Sequence, residues 1–400
     1  MLRSAAAKKR GETIWSGLDW VLIGAVAALS VIGALLVWSA TASHDELTGG
    51  DSTAYLSKQV INIALGAVLG ALVAATDHRW LRVWAPAVYL GSILGLALIY
   101  VPSVGATING SHSWLLIGGL SIQPAEFAKF GVIVGMALVL AERTEGGLRD
   151  GVRGSDLVPA LAIAAVPALL ILLQPDLGTL MVLIAVVFGV LAVAGTPKRW
   201  LVGLLAVAAA VIAAAIASGV LEEYQIERFA AFTDPTLDPR GAGYNTMQAR
   251  IAIGNGGVFG QGLFDGSQTQ SGFVPEQHTD FVFTVAGEEL GLVGAGAIIV
   301  LFAIILWRGL RIARHAYDFF GQLAAIGIVI WFGFQSFQNI GMCLGIMPVT
   351  GVPLPFVSSG GTSLFASMMA VGLLLNIHRR TERRHGLGVI VRSRLQRSRF

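Results

Sequence analysis

Apolar positions in this chain gather into long runs separated by short polar breaks. Runs with few charges cover roughly 18–42, 58–76, 81–102, 123–141, 156–173, 177–195, 200–219, 281–307, 321–343 and 359–377. Each is long enough to cross a ~30 Å hydrocarbon core as a helix, which takes about 20 residues. Lipid offers no water to bond backbone N–H and C=O groups, so the ten runs predict an all-α bundle of ten transmembrane helices. The closest pair is parted only by Gln174-Pro175-Asp176. Proline and a carboxylate at that point predict two helices joined by a tight turn rather than one long span. The expected organisation is a 1–17 tail, a ten-span body over 18–377 and a 378–400 tail. One connection stands out, 220–281 between spans seven and eight, with shorter ones near 103–122 and 344–358 on the same side.

Composition agrees with the pattern and narrows the function. Of 400 residues, 55% are apolar or aromatic and only 13% are charged, and mean hydropathy is +0.72. Soluble globular proteins carry about 25% charged residues. Disordered, collagen-like and nucleic-acid-binding classes are therefore excluded. The single Cys343 rules out a disulfide framework or a multi-cysteine metal site and reads as a small apolar residue in a span.

Placement makes the charges informative. With the N-terminus cytoplasmic, 22 of the 27 basic residues fall on the cytoplasmic side, among them Arg79, Arg82, Arg143, Arg308, Arg311 and the arginine-rich tail from Arg379. The positive-inside rule then sets both termini in the cytoplasm, consistent with an even number of spans. The N-terminus is basic, yet no small-residue cleavage site follows a short apolar core, so the first run reads as a retained anchor. The basic tail reads as a solvated flank, with binding to anionic headgroups or a cytosolic partner as the alternative. Only Lys58, Lys129, Arg228, Arg240 and Arg250 fall elsewhere.

Candidate chemistry lies on the opposite side. The 220–281 connection is far longer than the ~4–6 residue median, and it is dense in aromatic, apolar and glycine residues, so it is expected to be ordered and functional. Residues 243–253 predict a short helix at the membrane surface, stopped by Gly254-Asn255-Gly256-Gly257. That glycine cluster is no nucleotide loop, because Phe259 occupies a required glycine position and no strand precedes it. A P-loop motif is absent from the chain, which argues against a nucleotide cofactor. Asp280 sits where a span begins, and Asp280, Thr284 and Glu288 at i, i+4 and i+8 are expected on one helical face. Asp280 could equally be a first-turn carboxylate that complements the helix dipole. Carboxylates in spans are costly and usually face a polar cavity, which draws attention to Glu288, Glu289, Glu126 and Asp176. Glu126 precedes Lys129 at i, i+3, a spacing that suits an ion pair or a substrate site equally. A proline- and glycine-rich stretch, 351–363, leads into the last span. Histidine spacing suggests no zinc site. From physics alone, the chain is a polytopic helical protein with a carboxylate-bearing cavity, a description shared by transporters and lipid-handling enzymes.

Six motifs in order resemble the SEDS family of cell-wall polymerases. They are Asn109-Gly110 to Trp114 with Gln123-Pro124-Ala125-Glu126-Phe127-Ala128-Lys129; Gln174-Pro175-Asp176-Leu177-Gly178-Thr179; Gly243-Tyr244-Asn245 through Gln248 to Gly262; Pro275-Glu276-Gln277-His278-Thr279-Asp280-Phe281; Glu288-Glu289-Leu290-Gly291; and Pro353-Leu354-Pro355-Phe356 with Gly360-Gly361. The family's ten-span architecture matches the count reached above. The resemblance implies a peptidoglycan glycosyltransferase that joins lipid II units at the outer face of the bacterial cytoplasmic membrane. It implies that Asp280 is the essential carboxylate, acting as general base or holding a divalent cation such as Mg or Mn. It also puts forward Glu126, Lys129, Asp176, Gln248, Arg250, His278, Thr279, Glu288 and Ser358 as substrate- or cavity-lining residues. Arg250, Arg240 and Lys129 are the cations positioned to meet a departing pyrophosphate. The implied partners are a single-span class B penicillin-binding protein and other elongation or division complex proteins. The Pro275–Asp280 version and the short tail lean toward the elongation branch rather than the septal one. Two departures are visible: Ser111-His112-Ser113 where relatives often carry a basic residue before Trp114, and Ser359 where an aromatic is common. The competing reading is a flippase for lipid-linked precursor.

Overall fold

The computed structural model describes residues 17–101, 104–108, 111–117, 120–145, 152–218, 238 and 241–397. Its helices are α1 (Trp20–Ala42), α2 (Asp45–Thr48), α3 (Ala54–Ala75), α4 (His78–Leu98), α5 (Pro124–Glu145), α6 (Gly154–Leu172), α7 (Leu177–Val193) and α8 (Lys198–Ser218). After the long connection come α9 (Ala242–Asn255), α10 (Ser267–Ser271), α11 (Val282–Glu289), α12 (Gly291–His315), α13 (Phe319–Leu344) and α14 (Gly361–Arg397). Each of the ten apolar runs is helical. Among the described residues eight helices have the length and apolarity of membrane spans, and α7 is a shorter apolar helix of 17 residues. The protein is a polytopic membrane protein. The last helix does not stop at the membrane edge but runs on to Arg397 through the segment read as a tail.

Side-chain caps start several helices where the sequence turns polar. Asp19 accepts from Leu22 N (3.1 Å), Asp176 from Thr179 N (2.9 Å) and Asp318 from Gly321 N (2.8 Å). Each satisfies an amide that a helix start would otherwise leave orphaned. Helices α5, α13 and α14 form the interior, whereas α3, α4, α6 and α12 turn most of their apolar surface outward. Small residues allow the closest approach: a Cβ on Gly372 of α14 would run into the Gly70 carbonyl of α3.

The structure departs from the expected architecture in two places. Residues 105–122 build a three-stranded antiparallel sheet, β1 (Gly105–Ile108), β2 (Ser111–Ile117) and β3 (Leu120–Ile122), so the chain is not purely helical. Trp114 pairs with Ala106, and Leu115 with both Gly105 and Ile122. His112 bridges the Ile99 carbonyl and the Thr107 hydroxyl, each at 3.0 Å, which gives the unusual Ser-His-Ser stretch a local structural use. The eighth apolar run is also broken. Gly291 has φ +66°, a backbone that favours glycine, and separates α11 from α12. Asp280 therefore does not share a helical face with Thr284 and Glu288. It closes a turn ahead of the helix, whose N-cap is Phe281.

The end carrying Ser39, Asp280 and Gly351 is termed the loop face; the other is the basic face. On the basic face, several of the described arginines are held in ion pairs. Arg308 of α12 binds the buried Asp19 at 2.6 Å, and Arg380 and Arg82 meet Asp318 at 2.9 and 3.5 Å. Removing one partner of a buried pair strands the other charge, at a cost of about 3–5 kcal/mol. Arg308→Met is thus expected to lower the thermal midpoint of the purified protein clearly more than Arg143→Met, whose pair with Asp156 is looser at 3.8 Å and half exposed.

Candidate active site

The turn bearing Asp280 is wound around one carbonyl. Glu276 O accepts from the amides of Thr279, Asp280 and Phe281 at 3.1, 3.1 and 3.2 Å. Glu276 itself takes φ +51°, an uncommon conformation for a side-chain-bearing residue. Its carboxylate accepts from the Thr279 hydroxyl at 2.9 Å, so Thr279 stiffens the turn. Asn339 of α13 pins the turn from beneath. Its amide donates to Asp280 O and to Val352 O, each at 2.7 Å, and its side chain is fully buried. The half-buried Asp280 carboxylate lies beside Gly351, where an added Cβ would sit 3.2 Å from Oδ2. Gly351 has φ +67°, so both its backbone and its closeness to Asp280 favour glycine.

His278 faces α3, its ring edge-on to Tyr55 at 5.1 Å between centroids, and its carbonyl accepts from Ser359 N at 2.9 Å. Burial holds its imidazole below the ordinary histidine value; His44 and Lys58 push the same way and Glu276 opposes them. Ser358 folds the 351–360 loop: its hydroxyl accepts from Leu354 N (2.8 Å), and its carbonyl accepts from Gln59 of α3 (3.3 Å).

A second polar cluster lies deeper. Lys129 Nζ donates to Glu126 Oε1 and to Gln335 Oε1, both at 2.7 Å, and rests 5.1 Å from the Trp331 ring centroid. Gln335 also accepts from Trp331 Nε1 (2.6 Å) and donates to Pro353 O (2.8 Å), which links the cluster to the Gly351–Ser358 loop. Asp176 accepts from Gln123 (3.3 Å) while capping α7. Lys129 is 0% exposed, which corrects its assignment as a cation for a departing pyrophosphate. Arg250 is exposed but spends its guanidinium on Leu344 O and Gly345 O at 3.1 and 3.0 Å, closing the end of α13. Arg240 lies outside the described residues. The cation that sequence reasoning passed over is Lys58, exposed on the first turn of α3, with its charge felt at His278 and no place in the ion pairs formed among the described residues.

Glu288 is fully buried and engaged by protein donors. Its two oxygens accept from Ser267 Oγ (3.2 Å), Gln268 N (2.7 Å), Thr269 N (2.8 Å) and Thr269 Oγ1 (2.7 Å). Thr269 O in turn accepts from Gln277 at 2.8 Å, and Gln277 also donates to Ala40 O at 3.0 Å. Glu288 thereby reaches the Asp280 turn through two intermediates. Glu289 accepts from the Ser39 hydroxyl at 2.6 Å. Gln248 is half-buried on α9 and makes none of the hydrogen bonds converging on Asp280 among the described residues.

Among the described residues no group of three or more His, Cys, Asp or Glu is arranged to ligate a metal ion.

This geometry can be set beside known proteins. The family model described as a cell cycle protein, FtsW/RodA/SpoVE, matches residues 19–383. The chain belongs to this SEDS family. It is 36% identical over 361 residues to stage V sporulation protein E of Bacillus subtilis, covering 90% of this chain and 97% of that one. It is 40% identical to a probable peptidoglycan glycosyltransferase FtsW of Tolumonas auensis, covering 87% and 89%. Among solved structures, a chain from a peptidoglycan synthase complex superposes with TM-score 0.77 at 34% identity, over 92% of this chain and 99% of that one. Rod shape determining protein RodA of Thermus thermophilus superposes with TM-score 0.66 at 31% identity, over 91% and 98%. Sporulation, division and elongation members of the SEDS family thus all resemble the chain along nearly their whole length.

Four residues important to the site were missed by sequence reasoning: Asn339, Gln335, Gln277 and Lys58. For the first two a signal existed, the polar interruption Gln335-Ser336-Phe337-Gln338-Asn339 within an apolar span. Glu288→Gln tests how far Glu288 holds the 267–269 segment, because an amide presents a donor where the carboxylate meets only donors. Each buried donor left unmet costs about 1–3 kcal/mol. The substitution is expected to lower the thermal midpoint, and hydrogen exchange at 267–269 is expected to rise; unchanged exchange there would count against this role of Glu288.

Proposed function

We propose that this protein is a peptidoglycan glycosyltransferase that polymerises lipid II into glycan strands on the loop face. The observation that carries the reading is Asp280: a half-buried carboxylate on a turn pinned by Asn339, with Gly351 putting no side chain against it. Asp280 takes the proton from a sugar hydroxyl as that oxygen forms a bond to the anomeric carbon of a second lipid-linked unit. The bond from that carbon to undecaprenyl pyrophosphate breaks, and its electrons leave on the phosphate oxygen. Glycosidases need a second carboxylic acid because an alkoxide leaves poorly. Pyrophosphate departs as an anion, so a lone base suffices provided the negative charge is met. Lys58 is the side chain placed to meet it, with the remaining N–H groups of Arg250 farther along the rim. The neutral His278 leaves the charge at the mouth to these cations.

The positive-inside distribution supports a cytoplasmic basic face and an extracytoplasmic loop face, in the bacterial cytoplasmic membrane. Similarity to a synthase complex that coordinates polymerization and crosslinking supports a penicillin-binding partner of class B. An elongation role is the reading favoured by the Pro275–Asp280 motif and by the likeness to RodA. Complementation of cells depleted of the elongation or the septal polymerase separates the two roles.

Purified lipid II, incubated with the protein and its partner, is expected to yield glycan chains. Asp280→Asn is expected to reduce them by at least ~10²-fold, the range of general-base catalysis. Its thermal midpoint and partner binding should remain. Normal polymerisation by Asp280→Asn would refute the assignment, and lipid II flipping in vesicles without polymerisation would favour a transporter. Lys58→Ala is expected to slow the same reaction, with partial rescue by Lys58→Arg.

A further inference from the structure

The most exposed large apolar side chain of the described residues is Phe259, at 82%. It sits with the exposed Val258 at the tip of a tight turn between α9 and α10. The turn is held rigidly. Leu292 N donates to Gly257 O (2.9 Å) and Val293 N to Val258 O (3.1 Å), so backbone hydrogen bonds fasten the tip to the first turn of α12. Gly260 and Gly291 permit this approach, since a Cβ on either would run into the other segment's backbone. Helix α12 is a membrane span, and Leu292 and Val293 at its start are exposed and apolar. Val258 and Phe259 therefore share the depth at which an apolar span meets lipid. No Asp, Glu, Lys or Arg occurs from 251 to 264 to hold the tip in water. Along the same rim, Met247 and Ile251 are both exposed on α9, spaced i, i+4 on one face. Arg250 ties that helix to the end of the α13 span.

We propose that the Val258-Phe259 tip is a membrane wedge, inserted among the acyl chains of the leaflet on the loop face and continued by Met247 and Ile251. The partner surface is lipid, and it is continuous with the lipid-facing side of α12. The wedge keeps α9 and the loop leading to the Asp280 turn seated on the bilayer surface, where a lipid-linked substrate is presented. Interfacial segments of this kind bury apolar side chains about 5–10 Å into the headgroup–acyl boundary.

The test uses the full chain in vesicles of phosphatidylethanolamine and phosphatidylglycerol. Phe259→Cys, Met247→Cys and, as a control on the same loop, Asp265→Cys are each made with Cys343→Ala and labelled with an environment-sensitive fluorophore. Because Cys343 is fully buried, the same three variants with the native cysteine kept serve as a second set if Cys343→Ala does not fold. Labels at 259 and 247 are expected to emit to the blue of the 265 label and to be shielded from iodide. They should be quenched by 5-doxyl lipid more than by 16-doxyl lipid. A 259 label that iodide reaches as readily as the 265 label, with no doxyl quenching, overturns the proposal. So does a 259 label that becomes shielded only when a protein partner is added, which would make the tip a protein-docking surface.

Discussion

Irregular backbone near the ends of membrane spans has little water to bond, and the architecture of the site follows from how that need is met. Five buried amide side chains supply donors to backbone carbonyls around the site. Asn339 serves Asp280 O and Val352 O; Gln335 serves Pro353 O; Gln59 serves Ser358 O. Gln277 serves Thr269 O and Ala40 O, and Gln338 reaches Gly178 O and the Thr350 hydroxyl. Non-helical segments survive in such surroundings only when protein groups replace water. The two loops that meet at Asp280 are built on these amides.

The acidic residues divide in the same way. Glu126 is neutralised by Lys129, Asp176 caps a helix, and Glu288 and Glu289 hold the 264–270 segment. These are costs of burying charge met by internal partners, as low dielectric demands. Asp280 differs in being half-exposed, with its backbone rather than its carboxylate fixed by Asn339. A base must be able to reach a substrate proton, and a carboxylate already saturated by four donors, as Glu288 is, could not.

Family membership bears on the fold more tightly than on the chemistry. Relatives at 36% and 40% identity match along nearly their whole length, and in this chain the scaffold is set by apolar spans and close glycine packing such as Gly70 against Gly372. Scaffold and site nonetheless meet in single residues. Gly351 is a turn that also leaves room beside a carboxylate, and Gly291 breaks a span so that a loop can be stitched against it.

The apolar runs and their order were legible in the sequence, because hydropathy and helix length are local quantities that lipid enforces on each segment separately. The split of the eighth span was not, since Leu290-Gly291 reads as apolar until the 257–260 turn packs against it. The small sheet at 105–122 was hidden as well, because strand pairing depends on residues that come together only after folding. Spacing left Lys129 open to an ion pair or a substrate site, and membrane depth suggested a polar cavity for Glu288. Only the tertiary structure reveals that Gln335 and Thr269 already engage them, because a hydrogen bond between residues 206 or 19 positions apart leaves no periodic trace in the chain.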